Sequence, residues 1–154
     1  MRNLKIFWFV FIGLFLAVSC EEDDICIDGK TPRLLIGLNS EAPWANPDSL
    51  YVYRRNAVME YQPMYAGIYT DSIALGLLLD EVDETVYSIG FQAGVENGRE
   101  LRVGYTRELV FSSKACGFRY NYNDLTVDGP QWDSIILQNN HVWNEDFLHL
   151  NLYF

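Results

Sequence analysis

The stretch Asp80-Glu81-Val82-Asp83-Glu84 crowds four carboxylates into one turn, and oxygen ligands at such spacing can hold Ca²⁺. It lacks the Asp-x-Asp-x-Asp-Gly loop of a dedicated site, and acidic hairpin turns are common in a chain this negative. Asp80, Glu81, Asp83 and Glu84 are therefore candidate ligands only, and no cofactor is expected. Aromatic residues form a second pattern. Trp44 lies in a loop rich in Pro and Asn, and Trp143 lies in NNHVWNED between two predicted strands. Indoles displayed on loops can stack on sugar rings, burying C–H surface while nearby amides take the hydroxyls. A sandwich core consumes aromatics too, and Trp132, at the start of a strand, reads as core. His141 and His149 would face the same way along one strand, but the Asn/Glu/Asp-rich stretch between them interrupts it. Two imidazoles without a third ligand make a poor zinc site. The chain has no G-x-S-x-G, no H-E-x-x-H and no phosphate-cradling glycine loop. Hydrolysis by paired carboxylates needs convergence that no motif nominates. An enzyme is not expected.

Thiols carry the remaining chemistry. Arg2 and Lys5 precede IFWFVFIGLFLAV, an uncharged run over residues 6–18. Its length suits the apolar region of a signal peptide and falls short of the roughly 20 residues a spanning helix needs. The run ends at Leu16-Ala17-Val18-Ser19-Cys20, which resembles a bacterial lipobox with its leucine one place further out than usual. The resemblance implies cleavage before Cys20 and lipidation of it, making Cys20 a tether rather than a nucleophile; plain secretion with a free Cys20 is the alternative. Two or more acyl chains hold a protein stably on a bilayer. The acidic run Glu21-Glu22-Asp23-Asp24 is either a solvated spacer or, by its likeness to the surface-export signal of Bacteroidetes-type lipoproteins, an address. It implies the outer membrane, at the cell surface, with the periplasmic face as the alternative.

Composition narrows the partners. The full chain has 154 residues and a formal net charge of −10. Removing residues 1–19 deletes two of the 11 basic residues and none of the 21 acidic ones, so 9 − 21 leaves −12. Such a surface repels phosphate backbones, and no nucleic-acid partner is expected. With Cys20 lipidated, Cys26 and Cys116 remain as an even pair in a compartment where disulfides persist. They either bridge or stay as two buried thiols.

These groups must be positioned by strands. RLLIGL, SLYVYRR, DSIALGLLLD, TVYSIGF, ELRVGYT, LVF, GFRYNYN, DSIILQ and FLHLNLYF alternate or are rich in β-branched and aromatic residues. Ile73, Leu75, Leu77 and Leu79 are expected on one face, and Asn97-Gly98 in GVENGR predicts a type I′ hairpin turn. No stretch holds a helical period. The expectation is all-β: a single antiparallel β-sandwich, or flattened barrel, of about eight strands. Residues 1–19 read as a signal peptide, 20–30 as a lipidated acidic tether and 31–154 as the sandwich domain.

CEEDDICIDGKTPRL at 20–34 and TRELVFSSKACGFRYNYNDL at 106–125 together resemble a family of small, functionally uncharacterised lipoproteins of Bacteroidetes-type bacteria. FLHLNLYF departs from that pattern. Cys26 and Cys116 fall inside the two distinctive motifs, so the resemblance favours their pairing; it implies a fold and an address and no mechanism. The expected function is a non-catalytic, lipid-anchored binding or accessory module for an envelope protein partner. Glycan binding through exposed Trp and Tyr is the alternative, and a carboxylate-dependent hydrolase the third.

Overall fold

The computed structural model describes residues 26, 30–40, 47–56, 58–79 and 82–154. The predicted signal segment, Cys20, Trp44, Asp80 and Glu81 lie outside the described residues.

RLLIGL becomes strand β1 (Leu34–Asn39), whose Leu34, Ile36 and Leu38 alternate inward and are buried. Strands β2 (Ser49–Arg55), β3 (Tyr61–Ile68), β4 (Ser72–Leu75) and β5 (Glu84–Gly90) follow. The long pair β6 (Arg99–Ser113) and β7 (Gly117–Asp128) comes next, then β8 (Ser134–Leu137) and β9 (Leu150–Tyr153). Among the described residues nine strands form two sheets, ordered β4-β1-β9-β8 and β3-β2-β5-β6-β7. Apolar faces from both sheets meet in one core, in which Leu50, Val52, Tyr87, Ile89, Leu101, Val103, Leu150 and Leu152 are fully buried. The all-β sandwich expected from the alternation is the fold observed.

All strand pairs are antiparallel except β1 with β9, which run parallel from Ile36↔Leu150 to Asn39↔Tyr153. Parallel neighbours need a long crossover. Here the rest of the domain supplies it, so the two ends of the body lie side by side. Gly37 permits the approach, because a Cβ there would strike Asn151 Oδ1.

Three local expectations change. Asn97-Gly98 does not form a type I′ turn: Val95–Asn97 make one turn of 3₁₀ helix, and Gly98 is extended at φ −92° and ψ 153°. The longer connection covers β5, where Ser88 Oγ donates to Val95 O at 2.8 Å and a side chain on Gly98 would collide with Ser88. The run IALGLLL leaves strand geometry after Leu75, so Leu78 turns inward and Leu79 outward. Finally, the alternation does not reveal β3. It lies at the sheet edge and contains Pro63, a residue tolerated there because an edge strand need not donate on its open side.

ELRVGYT and LVF prove to be one continuous strand, β6. Its pairing with β7 shifts register between Gly104 and Thr106, where Asp124 takes φ 52° and an extra residue of β7 is accommodated. A second shift follows Phe111, and Gly117 at φ 72° begins β7. A side chain on Gly117 would meet nothing within 4 Å, so the left-handed backbone rather than crowding calls for glycine there.

Candidate functional site

The segment that follows the acidic run is fastened to the body. Cys26 and Cys116 form a disulfide, with Cα atoms 4.9 Å apart across 90 residues of sequence. Cys116 occupies the turn between β6 and β7, so the bridge joins the incoming chain to a hairpin tip. Tyr120 N donates to Thr31 Oγ1 at 3.4 Å a few residues on. Arg33 then grips Glu145 through two arms, Nε to Oε1 at 3.0 Å and Nη2 to Oε2 at 2.6 Å. That hydrogen bonding holds the Glu145 carboxyl below its ordinary range and raises the Arg33 guanidinium. The pair is open to water and adds positioning more than stability.

The chain between β4 and β5 is held from inside the core. Leu78 N donates to Thr85 Oγ1 at 2.9 Å, the Thr85 and Tyr105 hydroxyls lie 2.7 Å apart, and Tyr105 Oη donates to Leu78 O at 3.1 Å. With Thr85 donating to Tyr105, these bonds close a ring. Tyr87 Oη and Arg54 Nη1 both donate to Gly76 O at 2.9 Å. Burial pushes the Tyr105 and Tyr87 phenols upward, and that of Tyr122 to about 12, so all three stay protonated near neutrality. The ring ties Leu78 to β5 and β6 as a structural clamp.

Of the four acidic candidates, only Asp83 and Glu84 lie among the described residues, and both face arginines. Asp83 Oδ1 faces Arg107 Nη2 at 3.3 Å, and Glu84 Oε1 faces Arg55 Nη2 at 3.8 Å. Among the described residues no group of three or more His, Cys, Asp or Glu could hold a metal ion. His149 is buried, and its Nδ1 accepts from Leu35 N at 2.9 Å, which places the ring proton on Nε2. Burial, with His141 adding to it, lowers the tendency of His149 to protonate. His141 is on the surface, its ring 4.1 Å from that of Trp143 and tilted by 32°. Trp143 is 47% exposed and donates Nε1 to Asn123 Oδ1 at 2.7 Å. One indole face is thus partly taken by His141. Trp132 is core, as expected, with Nε1 donating to Glu100 O at 3.1 Å.

Two surfaces escaped the sequence reading. Along β3 and the turn before it, Val58, Met59, Met64 and Ile68 are exposed, Ile68 to 80%. Asn56 shapes that turn, its Oδ1 accepting from Val58 N at 3.1 Å and Glu60 N at 2.8 Å, and Met59 adopts φ 66°. At the far edge of the same sheet, Leu109, Phe111 and Phe118 stand open on the β6–β7 hairpin. The alternation of GFRYNYN puts Phe118, Tyr120 and Tyr122 on one face. Only the register shows that the face runs from buried at Tyr122 to exposed at Phe118.

Two packed sheets of four and five strands, with the incoming chain cross-linked to one hairpin, define the class: an all-β sandwich. Within it the chain belongs to the family of unknown function DUF6452, which matches residues 48–154. That range takes in the Cys116 motif and begins after the Cys26 segment. No curated protein and no solved structure matches the chain.

Proposed function

We propose that this chain is a non-catalytic lipoprotein, held through Cys20 at the outer membrane and displayed on the cell surface, where it binds an envelope protein partner. The anchoring rests on the charged start, the apolar run 6–18 and the lipobox-like LAVSC. The Cys26–Cys116 bridge agrees with a compartment outside the cytoplasm. One observation carries the binding role: β3 is an edge strand whose surroundings expose Val58, Met59, Met64 and Ile68. An open strand edge offers main-chain hydrogen bonds to an extended segment, and methionines adapt to irregular apolar partners. Three strands separate β3 from β7, the strand that begins beside the cross-linked turn. A partner on β3 therefore sits about 19 Å across the sheet from β7, at the usual strand spacing.

Photo-crosslinking in intact cells tests the role, with a photoactivatable residue at Ile68 and, as control, at exposed Asp133. A discrete protein adduct at Ile68 alone is expected; no adduct, or the same adduct at both positions, overturns it. Sugar capture is the second reading, favoured by the half-exposed Trp143 beside Asn123. Quenching of indole fluorescence by soluble oligosaccharides, lost in Trp143→Ala, would favour that reading.

A further inference from the structure

We propose that the tip of the β6–β7 hairpin contacts the bilayer, with the Phe111–Phe118 pair seated at the headgroup boundary of the membrane that holds Cys20. The inference rests on the anchoring reading above and adds an orientation to it.

The register carries the first step. Beyond the bulge, Arg107↔Tyr122, Leu109↔Tyr120 and Phe111↔Phe118 share the sheet face that carries the core at Tyr122. The opposing sheet is built from strands of only four to six residues, whereas β6 and β7 run for 15 and 12. The hairpin overhangs it. Phe111 and Phe118 are consequently 55% and 64% exposed, and their rings meet edge to face at 5.3 Å. They form one apolar knob with exposed Leu109 beside it.

The tether and the local charge identify the occupant. Cys26 is bonded to Cys116, two residues from Phe118, and Cys26 is only the sixth residue after Cys20. Six residues reach about 20 Å when fully extended, so the lipidated end cannot lie far from the knob. Lys114 and Arg119 are the basic residues next to the two rings in the sequence, whereas Arg107 faces Asp83. Basic residues flanking exposed aromatics match a surface of anionic phosphates over an apolar layer.

The test uses the full chain, purified with its lipid and reconstituted into vesicles of phosphatidylethanolamine and phosphatidylglycerol. A phospholipid with a photoactivatable group in its acyl chain is included. After irradiation, reduction and trypsin, the lipid adducts are expected on ELVFSSK (108–114) and ACGFR (115–119). Replacing both rings, Phe111→Ser with Phe118→Ser, should lower labelling of those peptides by at least about fivefold as the apolar contact is lost. Both side chains are exposed, and unchanged circular dichroism would show the variant folded. Adducts spread over other peptides, or none, on protein whose intact mass shows acylated Cys20 would overturn the tip inference alone. A covalent dimer through the tip in place of lipid adducts would also overturn it. Unacylated Cys20 would remove the anchoring reading, and the tip inference with it.

Discussion

Removing the Cys26–Cys116 bridge should weaken the whole fold and not merely free the N-terminal segment. The bridge spans 90 residues of sequence in a chain of 154, so it restricts more than half of the unfolded chain. Loop-closure entropy for that length amounts to about 4.6 kcal/mol at 25 °C. The native state returns part of this, because the incoming segment is otherwise held mainly by the long Tyr120–Thr31 bond and the water-exposed Arg33–Glu145 pair. A net loss of about 2–4 kcal/mol is expected for Cys26→Ser with Cys116→Ser. With a urea slope of about 1.5 kcal/mol/M, a loss of 3 kcal/mol lowers the midpoint by about 2 M. Equilibrium urea unfolding followed by circular dichroism, for the oxidised protein and the double variant, measures this. A midpoint change below about 0.3 M would refute the reasoning, since it would mean that the cross-link leaves the unfolded ensemble unaffected.

Three further outcomes follow from the clamp, the buried imidazole and the open edge. Thr85→Val keeps the shape but strands Leu78 N in the core and breaks the ring with Tyr105; urea unfolding should show a loss of about 2 kcal/mol, with Thr85→Ser closer to wild type. Burial depresses His149 below its ordinary value of 6.5, so the unfolded chain takes up the proton first. Stability should therefore be complete above pH 6.5 and fall as pH drops from there toward the folded value; His149→Gln should flatten this stretch. Glu145, lowered from 4.5 by Arg33, contributes its own loss only below pH 4.5. Met64→Lys, at an exposed position of the edge strand, should change the thermal midpoint little while abolishing the partner crosslink formed by a photoactivatable residue at Ile68.

Strands whose burial alternates were legible. Leu101, Val103 and Tyr105 announce β6, and Leu150 and Leu152 announce β9, because one face meets the core and the period of two survives in the sequence. β3 is hidden for the opposite reason: its side chains are largely exposed on both faces, so no alternation is imposed, and Pro63 sits where the register with β2 shifts. The Asn97-Gly98 signal was local and lost to tertiary contacts, since Ser88 and Gly98 pack the longer turn onto β5. The candidate acids could be seen, but not the arginines that face Asp83 and Glu84 from other strands. Phe111 and Phe118 show the general difficulty. Their alternation is that of a buried face, and only the unequal lengths of the two sheets leave that face open.

Acylation of Cys20 bears most directly on the account. Cells expressing the full chain would be fed an alkyne-bearing palmitate, and the purified protein analysed by click labelling and intact mass. The account predicts a mature chain that starts at Cys20, carries the fatty label and, when Cys20 is replaced by Ser, loses both the label and its membrane association. An unlabelled chain with a free Cys20 thiol, or one released into the medium, would contradict it.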